Sequence, residues 1–359
     1  MNPQEQASQV VAESGPHDVW PAPPARSGQR LYVLKEGDTF VVADAVGDVT
    51  GEGDGLFQND TRLLSTFRLL VNGAHPALLS SAVTQDNAFF TANLTNRPLP
   101  PLGETSAPEG VIHIERRRFL WDGRMYERLR LTNYSDIGIG LPLQLLFDAD
   151  FRDMFEVRGQ TRTRRGQMEV GQVGTRCVAL RYEGLDCVQR EAALSFSQEP
   201  RRLTAHFAEF EVQLPGRDHA SLYVEVGDVP TVPSRERWRA GAARARWSLR
   251  ARRRRGARVR VPARLFQAWV DRSESDLALL TTELPTGPYP YAGIPWFSTP
   301  FGRGAVITAM QRLWIDPSLA CGVLKFLAVH QAVEISAFRD AEPGKIMHET
   351  RKGEMAAVN

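Results

Sequence analysis

The sequence predicts an antiparallel β-sandwich followed by a mostly helical segment, a multidomain β + α chain. Two observations indicate this order. From Leu31 to about Val229, apolar residues alternate with other residues, and after Ala263 they recur every three or four positions. A period of two places alternate side chains on one face of a strand, whereas a period of 3.6 is typical of an amphipathic helix. The change of period therefore divides the chain into a β part and a helical part.

The predicted β domain, residues 30–230, has its clearest alternation in three short segments. Their apolar members are Leu129 and Leu131, then Leu141, Leu143, Leu145 and Phe147, and then Leu222, Val224 and Val226. Turn-forming residues separate such segments, and Asn72-Gly73 predicts a tight hairpin because both residues tolerate a positive φ. Many short strands with regular turns favour a sandwich of antiparallel sheets, and no long helix is expected in this domain.

The overall composition is that of an ordinary globular protein, 42% hydrophobic and 24% charged. A net charge of +2 gives no general attraction to nucleic acid or to a membrane surface, and no stretch has the ~18 apolar residues of a membrane span. Three cysteines without paired spacing predict neither a disulfide framework nor a zinc site, and they fit a cytoplasmic location. Residues 1–29 are polar and contain proline, which predicts a disordered tail without a signal peptide.

An arginine-rich segment, residues 231–262, joins the two parts and holds 12 arginines between Arg235 and Arg260. One interpretation is a patch that binds phosphate or nucleic acid. The other is a solvated linker helix followed by a strand edge. Few aromatic residues accompany the arginines, so the linker is preferred and nucleic acid is not expected as a partner.

Three helices are predicted in the last segment, residues 263–359. One face of the first helix collects five apolar residues: Phe266, Trp269, Val270, Leu277 and Leu280. Pro285 and Gly287 are expected to end this helix. The second helix is predicted from about Arg303 to Leu313. The third begins with Asp316 as N-cap and Pro317 as first helical residue, and is expected to run to about Val333.

The segment between the first two helices, residues 287–303, reads GPYPYAGIPWFSTPFGR. Four prolines and five aromatic residues predict a rigid loop, with neither helix nor strand. Aromatic faces can cover the apolar face of a pyranose, while an arginine donates to its hydroxyl groups. The loop is therefore either a stiff segment packed against the β domain or a sugar-binding surface formed by Tyr289, Tyr291, Trp296, Phe297 and Arg303.

This loop resembles the junction segment of bacterial amylo-α-1,6-glucosidase-like proteins, the glycogen-debranching family. Further segments are similar to the same family: GLF at 55–57, DTRLLS at 60–65, LWIDP at 313–317, RDAEPGKI at 339–346 and HETRKGEM at 348–355. The resemblance covers about Leu31 to Ala356.

The resemblance implies a β domain packed against a glucoamylase-like (α/α)6 barrel that hydrolyses α-1,6 branch linkages with two carboxylates. Residues 263–359 would then form an incomplete barrel, its first few helices, with the acid and the base beyond Asn359. His348 and Glu349 would face the sugar cleft of a complete barrel, although their position near the end of this chain predicts fraying. The family has an aspartate where this chain has Gly304, so one contact to sugar hydroxyls is expected to be missing.

Three functions remain open. The chain is a truncated or split glycogen-debranching protein without catalytic carboxylates, a non-catalytic carbohydrate-binding or interaction module, or the product of a decayed gene. The expected partners are an α-glucan or oligosaccharide and a second chain that completes the barrel.

No cofactor or metal is expected. The spacing of Asp148, Asp150 and Asp153 fits either a cation site or an ordinary turn with Arg152 as partner, and the turn is preferred. Asp60 and Arg62 predict a structural ion pair or a hydrogen-bonded turn.

Overall fold

The computed structural model describes residues 30–102, 105–337 and 341–358, so the predicted tail, residues 1–29, lies outside the described part of the chain. The first ten strands are β1 Tyr32–Glu36, β2 Thr39–Ala43, β3 Gly55–Gln58, β4 Thr61–Leu64, β5 Thr66–Val71, β6 Ala77–Val83, β7 Phe90–Thr95, β8 Leu99–Leu102, β9 Thr105–Ala107 and β10 Ile112–Trp121. The other ten are β11 Arg124–Asn133, β12 Ile139–Asp148, β13 Gln167–Val173, β14 Cys177–Glu183, β15 Gln189–Phe196, β16 Arg202–Leu203, β17 Phe207–Leu214, β18 His219–Gly227, β19 Thr281–Leu284 and β20 Gly287–Pro290. The helices are α1 Met154–Val157, α2 Arg235–Arg253, α3 Arg264–Leu280, α4 Gly302–Arg312, α5 Pro317–Val329 and α6 Glu354–Val358.

Three larger antiparallel sheets and the short β8–β9 pair build the described β part. The largest has eight strands in the order β13-β14-β15-β18-β11-β10-β7-β6. One four-stranded sheet has the order β16-β17-β12-β5, and the other has the order β1-β2-β3-β4. The strands that pair within these sheets run antiparallel, which confirms the prediction from the period-two segments.

The main core lies between the eight-stranded sheet and the sheet of β12. Leu141, Leu143 and Leu145 alternate along β12 and are fully buried. They belong to the same apolar cluster as Leu129 and Leu131 of β11, which lies in the eight-stranded sheet. Two sheets that bury their apolar faces against each other form a sandwich.

A buried ion cluster lies within this core. Arg116 and Arg118 are two residues apart on β10, so their side chains leave the same face of the sheet. Each donates its Nε–H to Glu127 of β11 over 2.7 Å, and Arg116 also binds Asp48. Both guanidiniums lie near the ring of Phe67, at 5.3 and 5.5 Å from its centroid. Because each buried charge has an opposite partner, the cluster ties the β2–β3 connection to the eight-stranded sheet.

The Asn72-Gly73 turn forms, but it does not join two paired strands. Both residues have positive φ, and Val71 and Ala74 exchange two backbone hydrogen bonds of 2.8 and 3.0 Å. β5 then pairs with β12, whereas β6 pairs with β7 in the other sheet. The predicted hairpin was wrong in this respect, because the strands on the two sides of the turn complete different sheets.

The arginine-rich segment contains α2, which packs on the outside of the eight-stranded sheet. Trp238, Ala242, Ala245 and Leu249 form one apolar cluster with aromatic residues of the sheet. The ring of Trp238 meets that of Phe119 edge to face at 5.6 Å. The predicted helix is thus confirmed, but the predicted strand edge after it does not form between residues 254 and 263.

The apolar face predicted for α3 differs from the buried face. The helix has the predicted span, yet Phe266 and Trp269 are 50% and 62% exposed, while Ser275, Ala278 and Leu279 are buried. Only the carboxyl-terminal half of α3 packs against described neighbours, so the apolar residues of its first turns face solvent. The helices α4 and α5 confirm their predictions, except that α5 ends at Val329 instead of Val333.

The proline-rich segment begins with a short strand, which contradicts the prediction that no strand would form there. Thr281–Leu284 and Gly287–Pro290 pair as the antiparallel hairpin β19–β20. Proline lacks the N–H that a central strand must donate, but a two-stranded hairpin leaves edge positions that tolerate it. The described helices do not by themselves define a barrel, so the incomplete barrel remains a prediction, as do the domain boundaries. In the part of the chain that the structure describes, no helix is long and apolar enough to span a membrane.

Candidate functional site

Two tyrosines anchor the aromatic loop to the rest of the molecule. Tyr289 is fully buried and donates its hydroxyl to the carbonyl of Phe301 over 2.9 Å. Tyr291 is also buried and donates to Asp38 over 2.6 Å. Burial raises the pKa of Tyr289 to about 12, and burial together with the charge of Asp38 raises the pKa of Tyr291. Neither tyrosine offers a ring face to solvent, so both are left out of the surface described below.

The tip of the loop presents Trp296 and Phe297. Gly293 and Phe297 exchange two backbone hydrogen bonds of 3.2 Å, and the Ile294–Pro295 peptide bond is cis. Trp296 is half-buried and packs against the apolar cluster that contains Phe40 and Met154. Phe297 is 43% exposed. The loop therefore packs on the β domain, as one interpretation of its composition predicted, and also presents aromatic surface, whose sugar binding stays a prediction.

The segment 348–352 runs beside this loop and is not frayed. Gly302 donates its backbone N–H to the carbonyl of His348 over 3.0 Å, and Thr350 donates to the carbonyl of Pro300 over 3.1 Å. These bonds place His348 and Glu349 beside Phe301. The prediction of fraying was wrong because the segment is paired with a distant part of the chain.

Arg351 is the centre of the polar network under the loop. It is 5% exposed and donates to Glu349 over 2.9 Å, to Asp60 over 3.1 Å and to the carbonyl of Trp296 over 3.0 Å. Burial raises the pKa of Asp60, although the N–H of Lys352 and the charge of Arg351 act in the opposite direction. One buried guanidinium thus joins the loop, the returning segment and the β3–β4 turn.

The predicted ion pair of Asp60 with Arg62 does not form, whereas the turn predicted as the alternative does. Arg62 is buried and donates its Nε–H to Asp150 over 3.0 Å, while Asp60 binds Arg351. Asp60 lies in the β3–β4 turn with a φ of 61°, so its carboxylate meets the returning segment instead of its neighbour on β4.

The three aspartates at and after the end of β12, namely Asp148, Asp150 and Asp153, have separate structural partners. Asp150 binds Arg62, and Arg152 is a more distant partner at 3.5 Å. Asp153 caps α1 by accepting from the backbone N–H of Phe155 over 2.9 Å, and it also accepts from Met355. Asp148 lies 3.2 Å from His206. Within the described ranges, no group of three His, Cys, Asp or Glu side chains could hold a metal ion.

The end of the described chain is fixed by Glu354. This buried carboxylate accepts from Arg162 over 2.9 Å, from the hydroxyl of Tyr182 over 2.7 Å and from the backbone N–H of Leu185 over 2.8 Å. Burial acts to raise the pKa of Glu354, but these donors outweigh it and hold the pKa below its usual value. The contact keeps residues 348–352 in place beside the loop.

Four rings make up a surface here called the aromatic strip: Trp296, Phe297, Phe301 and His348. Phe301 meets Phe297 edge to face at 5.5 Å and His348 at 5.7 Å. The guanidinium of Arg158 lies 5.9 Å from the ring centroid of Trp296 and 5.7 Å from that of Phe297. Arg303 is exposed on the first turn of α4, next to Phe301 in sequence. The strip combines ring faces with charged hydrogen-bonding groups, which suits contact with a sugar.

Two members of this surface escaped prediction from sequence. Phe301 stands in the predicted loop motif and could have been chosen for its ring. Arg158 follows α1 in the β domain, and nothing in the local sequence connects it with the loop.

Two carboxylates of the polar network contact Arg351. Glu349 and Asp60 both accept hydrogen bonds from this guanidinium, and Asp60 also accepts from the backbone of Lys352. A glycosidase needs one protonated and one ionised carboxyl group facing each other across the scissile bond. Two carboxylates that share one buried guanidinium are suited to holding the loop in place.

A comparison with protein families identifies the β domain. The family model of the N-terminal domain of (some) glycogen debranching enzymes matches residues 34–225, more than half of the chain. No curated protein matches the chain.

One solved structure extends the likeness of fold beyond the β domain. A protein described as a kojibiose phosphorylase from the human microbiome has a TM-score of 0.55 and 9% identity, with 83% of this chain and 46% of that one covered. A GH92-family glycosyl hydrolase has a TM-score of 0.41 and 14% identity over 81% of this chain and 45% of that one. This chain therefore spans less than half the length of both proteins. At 9% identity the likeness to the phosphorylase shows a shared fold alone. The TM-score of 0.41 for the glycosyl hydrolase is too low to show a shared fold.

Proposed function

Because the chain belongs to the family of the N-terminal domain of glycogen debranching enzymes, we propose that it is a glycan-contacting part of a debranching-type protein. The aromatic strip is its contact surface, and an α-glucan or related oligosaccharide is its ligand. The observation that carries this proposal is the band of neighbouring rings, flanked by Arg158 and Glu349, at the junction of the β domain and the helices.

Stacking explains why such a band suits a glucan. The C–H groups on one face of a glucose ring are apolar and pack on aromatic side chains, while the hydroxyl groups at its edge need donors and acceptors. Phe297 offers exposed ring surface, the Arg158 guanidinium supplies donors, and the half-buried Glu349 supplies an acceptor. The buried network around Arg351 fixes these groups before a ligand arrives, which reduces the entropy lost on binding.

The binding test uses titration calorimetry with maltoheptaose and the full chain. Replacement of one exposed stacking ring, Phe297→Ala, is expected to weaken binding about tenfold with little change in melting temperature. The matched control is Phe266→Ala, which removes a similarly exposed phenylalanine from α3. Equal affinities of the parent chain and Phe297→Ala, or an equal loss in the control, would contradict the proposal.

We assign glycan recognition, and not hydrolysis, to the described residues. The amylo-α-1,6-glucosidase activity is proposed for a complete debranching protein, whose acid and base are other residues. The basis is that Glu349 and Asp60 both bind Arg351. Purified chain is expected to release no more glucose from a branched dextrin than its Glu349→Gln variant does. Release that the parent chain shows and Glu349→Gln lacks would overturn this assignment.

We further propose that additional helices, on the same or a second polypeptide, cover the helical part. Met310, Trp314 and Leu324 are strongly exposed on or beside α4 and α5, and exposed apolar surface of this kind marks an interaction site. A polypeptide that carries the remaining helices is expected to lower the fluorescence of a hydrophobic dye bound to this chain. Unchanged fluorescence on mixing would argue against such an interaction.

A cytoplasmic location is part of the proposal. It accords with the free thiols of Cys177, Cys187 and Cys321, because a reducing compartment keeps cysteines unpaired. Recovery of the protein in a secreted or periplasmic fraction would refute this location.

A further inference from the structure

A concave surface lies where α2 crosses the eight-stranded sheet, and we call it the α2 groove. Its volume is about 720 Å³. Phe89 and Arg117 of the β domain line one side of the groove, and α2 lines the other with Trp238, Arg246, Trp247, Arg250 and Arg254. None of these residues belongs to the aromatic strip, so the groove is a separate site.

The groove collects positive charge with little compensation. Arg246 and Arg250 of α2 and Arg254, the C-cap of this helix, are spaced by four residues and therefore lie along one face. Asp86 pairs with Arg246 over 3.1 Å. Within the described part of the chain, Arg250 and Arg254 have no carboxylate at ion-pair distance, although both have space to reach the groove.

Two buried donors beside the groove lack a hydrogen-bond acceptor. They are the Nε–H of Arg117 and the indole N–H of Trp238. Burial lowers the pKa of Arg117, and the charges of Arg128 and Arg246 act in the same direction, against that of Glu115. An unsatisfied buried donor costs free energy, which an acceptor bound in the groove would recover.

The hydrogen-bonding groups that line the groove indicate which class of ligand it suits. Arginine and tryptophan side chains only donate hydrogen bonds, and the carboxylate of Asp86 is already paired. A neutral sugar needs acceptors as well as donors, whereas a phosphate group presents acceptors alone and binds guanidinium in two-point contacts. The groove therefore suits a polyanion better than an uncharged glycan.

The α2 groove also has an exposed aromatic ring at its edge, that of Trp247. The ring of Phe89 is already covered by Arg117 and Arg246, whose guanidiniums lie 4.3 and 4.8 Å from its centroid. Trp247 lines the groove and is 72% exposed, so one face of its indole is free to stack on a planar ring. A ligand that carries both phosphates and a base would use the arginines and the tryptophan together.

We propose that the α2 groove binds a small polyphosphate, carried by a nucleoside triphosphate whose base stacks on Trp247. The phosphates contact Arg117, Arg250 and Arg254, and the base lies at the open end of the groove. This site is independent of the proposed glycan surface, since no residue is shared.

The experiment is calorimetric titration of the full chain with ATP, with inorganic tripolyphosphate and with adenosine. Arg250→Gln removes one unpaired guanidinium and is expected to weaken ATP binding about tenfold, the worth of one charged hydrogen bond. The matched control, Arg244→Gln, removes an exposed arginine of the same helix that does not line the groove. It is expected to leave the affinity nearly unchanged.

Trp247→Ala separates the two parts of the ligand. It is expected to weaken ATP and leave tripolyphosphate unaffected. Equal affinity of the parent chain for ATP and tripolyphosphate would keep the polyphosphate site but remove the base from the proposal. The proposal of a polyphosphate site would be overturned if neither anion binds, or if Arg244→Gln loses as much affinity as Arg250→Gln. It would also be overturned if the groove binds only duplex DNA or only maltoheptaose.

Discussion

At the scale of single residues, Glu127 has the largest predicted effect on stability. Its carboxylate accepts from both Arg116 and Arg118 in the core of the sandwich. Glu127→Gln keeps the shape of the side chain but turns an N–H₂ group toward a guanidinium. It also removes the negative charge that Arg116 and Arg118 share. Removing one partner of a buried ion pair costs about 3–5 kcal/mol in the free energy of unfolding.

Urea denaturation measures this loss, and Glu115→Gln is its control. Glu115 lies on β10, the strand that carries Arg116 and Arg118, and pairs with Arg128 at a more exposed position. That variant is expected to lose less than about 1 kcal/mol, as surface ion pairs do. A loss of similar size in both variants would show that the buried cluster is not specially stabilising.

Lys35 is expected to make the free energy of unfolding depend on pH. Its ammonium group is buried between Gly37 and Thr282 above the ring of Tyr291. Burial, aided by the charge of Arg252 and opposed by those of Asp38 and Glu36, lowers its pKa from 10.5 to about 7. Between these two values the unfolded chain holds a proton that the folded chain has released. The free energy of unfolding is therefore expected to rise with pH from about 7 to 10, by an amount on the order of a few kcal/mol.

The check compares urea midpoints of the parent chain and Lys35→Met across this pH range. Methionine fills a similar volume and does not titrate, so the variant should show a flatter profile. Parallel profiles of the two proteins would mean that Lys35 keeps an ordinary pKa.

Prediction from sequence found the aromatic loop, because its proline and aromatic content is local. It did not find that Tyr289 and Tyr291 are buried, since their partners come from other elements. The bond between Arg351 and Asp60 joins positions 291 residues apart, and no local pattern indicates such a pair. Side-chain partners across the fold are set by packing, which a single sequence does not display.

At the scale of elements, Gly304 occupies the first turn of α4. A Cβ at this position would meet Phe301 and Ala292 at 3.9 and 4.0 Å, which is ordinary contact. Gly304→Asp is therefore expected to fit, and to stabilise the protein by about 1 kcal/mol. The gain comes from lost backbone freedom in the unfolded chain and from a negative charge at a helix N-terminus.

Thermal unfolding measures this gain, with Gly304→Ala as the control that lacks the charge. If the aromatic strip binds a glucan, Gly304→Asp is also expected to tighten maltoheptaose binding, because it adds an acceptor next to Phe301. A lower melting temperature for both variants would show that the turn has no room for a side chain.

Gly322 allows α5 to lie directly on the β19–β20 hairpin. A Cβ on this residue would stand 2.2 Å from the carbonyl oxygen of Pro288, so the helix or the hairpin must move. Gly322→Ala is expected to destabilise the protein by about 1–3 kcal/mol, the usual cost of overpacking. The control, Cys321→Ala, changes the exposed neighbour on the same helix and should be nearly neutral. A stable Gly322→Ala protein would contradict this close packing.

Local sequence signals predicted which segments form strands and helices, but not which other elements those segments pack against. The period of two identified strands such as β12, and Asp316-Pro317 marked the beginning of α5. The strand β20 was missed because prolines suppress strand signals, and a two-stranded edge tolerates them. The buried face of α3 was misjudged because only distant elements decide which side of a helix is covered.

At the scale of the whole molecule, the apolar core is unevenly distributed. The largest cluster draws all its members from residues 34–226, within the β domain. The helical part has a much smaller cluster, which includes Tyr289, Ala309 and Phe326. It is attached to the β domain by polar contacts, such as those of Lys35 with Thr282 and of Arg351 with Asp60, and by the packing of Trp296 on the cluster of Phe40 and Met154.

This distribution predicts that a fragment of residues 30–262 folds without the rest of the chain. The fragment keeps the sandwich core and also α2, whose apolar face covers the eight-stranded sheet. It loses the contact of Trp296 with the cluster of Phe40 and Met154, so a modestly lower melting temperature is expected. Residues 263–359 alone are expected to show no cooperative transition, because their small apolar cluster cannot offset the entropy of ordering the chain.

The same fragment separates the two proposed sites. All residues that line the α2 groove lie between 89 and 254, whereas every ring of the aromatic strip lies between 296 and 348. The fragment of residues 30–262 is therefore expected to bind ATP as the full chain does and to have lost maltoheptaose binding. Circular dichroism establishes that it is folded, and calorimetry compares the two ligands. If the folded fragment still binds maltoheptaose, the glycan surface lies in the β domain and the aromatic strip is not the site. If the folded fragment no longer binds ATP, the α2 groove is not the nucleotide site.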